Sequence, residues 1–242
     1  MPNQSSMKLM PNKPRVAVTQ STLNAESNML ELLHLPLIKI QPLTFNEDIL
    51  KKKYDWLVLT SKNAVDILMK HRDKINVDYI ASIGEKTSER IRSYGLEIDF
   101  EPESYTQEGF IETFDTGGNL EVLYPASKNA RPFLKESLES HGISVQKIDL
   151  YEPVPDEESI NRLKVLFHEI DAVTVSSPSA AHILHQYFPA DMLNSKLITA
   201  VGPVTAAALD SCGIKSVLPE KETLTHMINL IEEKYRGAFD EF

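Results

Sequence analysis

Thr60-Ser61-Lys62-Asn63-Ala64-Val65-Asp66-Ile67-Leu68 returns later in the chain as Ser176-Ser177-Pro178-Ser179-Ala180-Ala181-His182-Ile183-Leu184. A second pair follows: Ile83-Gly84-Glu85-Lys86-Thr87, with Gly95 behind it, returns as Val201-Gly202-Pro203-Val204-Thr205, with Gly213 behind it. The offsets are 116 residues (60 to 176) and 118 residues (84 to 202). Solenoid repeats have periods of about 20–50 residues, so a repeat this long marks a duplicated α/β unit. In each copy a hydroxyl residue and a Gly-x-x-Thr stand where an apolar run gives way to a helix-period run. Such helix beginnings present unpaired backbone N–H groups and bind anions.

Outward from these blocks, short apolar runs alternate with helix-period segments, the pattern of βαβ units and a parallel sheet. The spacing predicts about ten strands, at Val16–Thr19, Leu37–Gln41, Trp56–Thr60, Tyr79–Ile83, Ile98–Phe100, Val122–Tyr124, Val145–Tyr151, Ala172–Ser176, Leu197–Val201 and Ser216–Leu218. Ser177-Pro178 places a capping hydroxyl before a proline at the first helical position, and Gly95, Gly142 and Gly213 each close a helical run. Thr60-Ser61, Gly84, Ser176-Ser177 and Gly202 then fall on the carboxyl edges of their sheets, where open α/β folds bind ligands. Two such edges facing each other would form a cleft. Leu37–Leu43 and Val145–Val154 alternate apolar with polar residues and run into proline, which suits exposed antiparallel ribbons.

At 242 residues the chain has room for two modest domains. Its formal charge of −10, with no Lys/Arg stripe, argues against a nucleic-acid surface. The single cysteine, Cys212, excludes an internal disulfide and fits a reducing cytoplasm. The apolar runs are strand-sized, too short for a membrane span, and residues 1–13 read as a loose tail without the apolar stretch of a signal peptide. Glycine-rich dinucleotide, P-loop and nucleophile-elbow patterns are absent. His182 and His185, three apart on a helical run, lack a third ligand for a metal and read as solvated or packed side chains; Cys212 reads as a small buried hydrophobe.

The ordered set Asp55–Val65, Ala81–Thr87, Gly142–Pro153 with Tyr151, Val173–Ser179 and Ala200–Ala206 resembles the uroporphyrinogen-III synthase family. The resemblance implies two flavodoxin-like three-layer α/β domains with parallel sheets, joined by a two-stranded antiparallel ladder. One domain would hold residues 14–37 with 155–242, the other 43–146, and the ladder 38–42 and 147–154. It implies a cofactor-independent hydro-lyase that cyclises hydroxymethylbilane, with hydroxymethylbilane synthase as a candidate partner for transient hand-over. The sequence itself, with no obvious interface stripe and with the cysteine and tail noted above, reads as a cytoplasmic monomer with no metal site.

That substrate carries eight carboxylates, and an acidic protein must hold them by local donors. Helix N-termini offer each anion about 0.3–1 kcal/mol without net positive charge. The substrate-binding residues implied are Thr60, Ser61, Gly84, Thr87, Ser127, Lys128, Arg131, Ser176, Ser177, Gly202 and Thr205. Residues 124–131 lack the glycine that many relatives carry near the start of this segment. Taken one at a time, the hydroxyls would serve as caps and the glycines as tight turns. Tyr151 is the implied catalytic residue: a phenol keeps its proton near neutrality (reference pKa about 10) and can donate to the departing hydroxyl. Without the resemblance, a tyrosine before Glu152-Pro153 reads as a packing residue. The competing function is a two-domain clamp for an anionic small molecule, with no chemistry.

Overall fold

The computed structural model describes residues 13–114 and 117–239. Of the expected tail, residues 1–12 lie outside the described residues. In chain order the elements are β1 (Arg15–Val18), β2 (Glu31–His34), β3 (Ile38–Pro42), α1 (Asp48–Lys51), β4 (Tyr54–Leu59), α2 (Lys62–Leu68), β5 (Val77–Ser82), α3 (Glu85–Ser93) and α4 (Gln107–Thr113). They continue with β6 (Glu121–Ser127), α5 (Phe133–Ser140), β7 (Ser144–Pro155), α6 (Glu157–Leu166), β8 (Ala172–Val175), α7 (Pro178–Tyr187), α8 (Ala190–Leu193), β9 (Leu197–Ala200), α9 (Pro203–Ser211) and α10 (Leu224–Phe239). Two compact units result, Met1–Lys39 with Pro155–Phe242, and Ile40–Val154.

The discontinuous unit is built on a parallel sheet of order β2-β1-β8-β9. Successive side chains on a strand point to opposite faces, and here both faces are apolar. Ala17, Val173 and Val175 join one core with Leu163, Leu184 and Leu209, while Val16, Val18 and Ala172 join another with Ile228 and Ile231 of α10. Parallel sheets covered on both faces need such unbroken apolar strands.

The continuous unit repeats the plan. Its sheet has the order β3-β7-β6-β4-β5, with β7, β6, β4 and β5 mutually parallel. Leu57 and Leu59 pack with Val65 and Ile91 on one face; Val58 packs with Phe110, Leu134 and Leu138 on the other. At the sheet margin the Leu43 N–H donates to the Leu150 carbonyl and the Asp156 N–H to the Leu37 carbonyl, at 2.8 and 2.9 Å. Numbers that rise on one strand as they fall on the other make β3 and β7 antiparallel. The chain passes between the units at 39/40 and 154/155, inside these two strands.

Two strand expectations differ, and one strand lies outside the expected set. Ile98–Phe100 and Ser216–Leu218 shrink to single bridges, Ala81 to Phe100 and Thr199 to Val217. In each copy a proline, Pro102 or Pro219, stands two residues past the bridge, and a residue without an N–H cannot extend the ladder. Glu31-Leu32-Leu33-His34, made of good helix formers, is instead an edge strand along β1; tertiary pairing overrides its propensity. Residues 19–30 form no helix between β1 and β2. Ser27 organises the turn there, its Oγ accepting from Met29 and Leu30 N–H at 3.0 and 2.8 Å.

Candidate functional site

A parallel sheet whose connections run first to one side and then to the other leaves a crevice at the carboxyl ends where the direction reverses. In the continuous unit the reversal lies between β4 and β6, since β5 flanks β4 on its far side. A hollow of about 870 Å3 opens there, within the ~300–1,000 Å3 range of small-molecule sites. Thr60 and Ser61 line it after β4, Gly84 and Thr87 after β5, Ser127 at the end of β6, and Tyr151 on β7.

Ser61 has extended backbone and its Oγ accepts from Ala64 N–H at 3.1 Å, capping α2. Ser177 repeats this before α7, accepting from Ala180 N–H at 3.1 Å. Both serine oxygens are thus engaged as caps, each keeping its own proton to give away. For Ser61 the neighbour is Tyr151, whose Oη lies 2.8 Å from Ser61 Oγ.

The placement of Tyr151 has a backbone cause. Ala126 pairs with Asp149 but Ser127 pairs with Tyr151, so Leu150 is unopposed and β7 carries a bulge. A bulge shifts the alternation of side chains by one residue, and Leu150 and Tyr151 are both buried in succession. Without it Tyr151 would face the other way. Its carbonyl accepts from Lys128 N–H at 2.8 Å, which pins the strand end.

Gly84 has φ of 103°, a region that side chains disfavour, and starts α3. A Cβ there would lie 3.7 Å from Thr87 Oγ1, so the buried Thr87 hydroxyl stands beside the turn. Gly202 is different. Its φ of −164° suits any residue, but a Cβ there would fall 2.5 Å from Glu222 Cδ. The same repeat position needs glycine for its conformation in one copy, whereas in the other a Cβ would meet the far end of the exposed, flexible Glu222 side chain.

Of the remaining expected residues, Arg131 lines the hollow and pairs with Glu108 through both nitrogens, at 3.0 and 3.2 Å. Hydrogen bonding to Arg131 lowers the Glu108 pKa, and Glu108 in turn raises that of Arg131. Lys128 pairs with Glu152 at 3.0 Å and is not among the lining residues. Ser176, Ser177, Gly202 and the buried Thr205 belong to the discontinuous unit, after β8 and β9. There the direction of connection reverses between β1 and β8. His182 lies 3.7 Å from the half-buried Cys212, and no cluster of three or more metal-ligating side chains occurs among the described residues.

Sequence reasoning missed Tyr105, Gln107, Glu108 and Tyr124, which also line the hollow. The legible signal was Thr106-x-x-Gly109, a helix start in which Thr106 Oγ1 accepts from Gly109 N–H at 3.0 Å. Tyr124 is fully buried near the end of β6, and burial raises its pKa most, partly offset by the neighbouring Thr60 hydroxyl.

A family model described as uroporphyrinogen-III synthase HemD matches residues 20–229, most of the chain. The chain belongs to the uroporphyrinogen-III synthase family. A protein of Methanothermobacter thermautotrophicus, provisionally named a uroporphyrinogen-III synthase, is 32% identical over 196 residues, covering 73% of this chain and 76% of its own. The chloroplastic uroporphyrinogen-III synthase of Oryza sativa is 26% identical over 209 residues, covering 79% and 68%. Among solved structures, the uroporphyrinogen-III synthetase of Helicobacter pylori superposes with a TM-score of 0.65 at 19% identity, covering 91% of this chain and 99% of that one. A mutant uroporphyrinogen III synthase of Thermus thermophilus gives 0.60 at 21%, covering 93% and 99%. These two likenesses establish the shared α/β fold with parallel sheets.

Proposed function

We propose that this chain is a uroporphyrinogen-III synthase, which takes linear hydroxymethylbilane, removes water and closes the macrocycle with ring D inverted. The observation that carries the reading is the Ser61–Tyr151 pair on the wall of the hollow. Ser61 Oγ already accepts the Ala64 N–H. If Ser61 gives its own proton to Tyr151 Oη, the tyrosine O–H is free to donate into the hollow.

That donor suits the first step. The lone pair of the terminal pyrrole nitrogen drives out the hydroxymethyl oxygen, which leaves as water once it gains a proton, and a hydrogen bond from Tyr151 stabilises the charge that develops on it. The electrophilic methylene left behind is attacked by the far pyrrole at its substituted carbon, and rearrangement inverts that ring. The substrate's own electrons do the bond breaking, so the reaction calls for no cofactor. The protein's larger task is to hold ring D for attack at the blocked carbon, and positioning supplies up to ~7–11 kcal/mol in favourable cases.

The substrate's carboxylates are assigned to helix beginnings. Gly84 and Thr87 at α3 serve in one unit, Ser177 at α7 and Gly202 with Thr205 at α9 in the other, with Thr60, Ser127, Ser176 and Arg131 as neighbouring donors and Lys128 as an outlying one. We place the protein in the cytoplasm, as a monomer fed directly by hydroxymethylbilane synthase. Among the described residues no helix is long and apolar enough to cross a membrane.

The test is isomer analysis of the product after oxidation. Freshly made hydroxymethylbilane closes unaided to the type I isomer. The proposal expects type III in the presence of this protein, whereas type I alone would leave only a clamp for an anion.

A further inference from the structure

Among the described residues, four charged side chains line the hollow of the continuous unit: Glu85 and Lys86 in the first turn of α3, Glu108 in the first turn of α4, and Arg131 after β6. Their formal charges cancel, so the hollow offers a polyanion no net attraction. The Arg131 fork is filled by the protein itself, Nη1 donating to Glu108 Oε1 at 3.0 Å and Nη2 to Oε2 at 3.2 Å. A guanidinium grips a carboxylate in this bidentate way whatever molecule the carboxylate belongs to. Glu108 therefore occupies the place that a ligand carboxylate would take. The pair is also easy to part. Its side chains are 61% and 48% exposed, and ion pairs so placed contribute little to stability. Once released, Glu108 has water beside it and keeps the hydrogen bond from its own backbone N–H.

We propose that Glu108 is a stand-in for the substrate: it fills the Arg131 fork in the free protein, and a carboxylate of hydroxymethylbilane replaces it there on binding. This rests on the synthase reading and adds to it a residue that sets how strongly, and for which ligands, the site binds. One carboxylate leaves the guanidinium as another arrives, so Arg131 keeps its two hydrogen bonds while Glu108 turns to solvent. A ligand without a carboxylate at that point cannot displace Glu108 and gains nothing from Arg131, so the exchange favours an acidic arm over an uncharged one.

The experiment measures KM and kcat for type III formation in Glu108→Gln, Arg131→Gln and the double variant, with chemical unfolding alongside. Both residues are exposed, so all three variants are expected to fold. A neutral glutamine leaves the fork to the substrate: Glu108→Gln should lower KM by up to about fivefold, the upper end for an exposed ion pair, with kcat unchanged. Arg131→Gln should raise KM, and adding Glu108→Gln to it should bring no gain. A KM that stays or rises in Glu108→Gln overturns the inference, a rise by showing that Glu108 steadies Arg131 for the substrate instead of competing with it. An unchanged KM in Arg131→Gln overturns it as well. So does an equal fall of KM on adding Glu108→Gln to Arg131→Gln, which would mean simple repulsion between Glu108 and the substrate. Wild-type protein that yields only type I isomer overturns the synthase reading and this inference together; wild-type protein that yields type III, beside a Glu108→Gln variant with unaltered KM, overturns this inference alone.

Discussion

Replacing Tyr151 by Phe removes one oxygen and little else. Tyr151 is 7% exposed and packs among Leu57, Leu59 and Leu150, so the ring stays where it is. The bond lost is the 2.8 Å contact with Ser61 Oγ, which retains the Ala64 N–H at 3.1 Å. A neutral hydrogen bond contributes about 0.5–1.5 kcal/mol net, so the stability loss should stay near 1 kcal/mol. Turnover loses the donor to the departing hydroxyl; at the low end of general-acid effects this is about 10²-fold. Ser61→Ala removes both the cap, costing about 1 kcal/mol of stability, and the partner that orients the tyrosine. If Ser61 acts through Tyr151, the rate effects of Ser61→Ala and Tyr151→Phe combine to less than their product. The assay is kcat for type III formation in the two single variants and the double variant, with urea unfolding alongside. Full turnover in Tyr151→Phe, or strictly multiplicative rate losses, would refute the reasoning.

Two further outcomes follow from the geometry. Gly84→Ala forces a side chain onto φ of 103° and should cost about 1–3 kcal/mol, whereas Gly202→Ala, at φ of −164° with only the exposed Glu222 side chain to displace, should cost under about 0.5 kcal/mol; chemical denaturation of both variants decides, and equal losses would deny the distinction. Burial pushes the Tyr235 pKa up to about 12, so the folded protein holds this proton while the unfolded chain releases it at about 10. Stability present below pH ~10 is therefore lost as the pH rises toward ~12, and Tyr235→Phe should flatten that part of an unfolding-midpoint profile.

Much of the architecture was legible because duplication shows it twice. Ser61 and Ser177 announced two helix starts, and the capping geometry is the same in both. The apolar strands read correctly where both faces are buried, as at Val16–Val18 and Leu57–Leu59. Glu31–His34 did not, since nothing local separates an edge strand from a helix in Glu-Leu-Leu-His; only its pairing with β1 decides. At the site, Thr60, Ser61, Gly84, Thr87, Ser127, Arg131 and Tyr151 come together in one hollow. The bulge that turns Tyr151 lies beyond the reach of sequence pattern, because it depends on the register of β7 against β6.

The interrupted unit has a temporal consequence during synthesis. Strand β1 emerges early, yet its neighbour β8 comes so late that Thr19 and Thr174, hydrogen-bonded in the finished sheet, are 155 residues apart. At about 5–20 residues per second on the ribosome, β1 waits roughly 8–30 s for that partner. Residues 40–154 can meanwhile complete their own sheet. A nascent chain of this protein should thus display an unpaired Val-Ala-Val edge beside an already folded neighbour, the stage at which a holding chaperone would matter most.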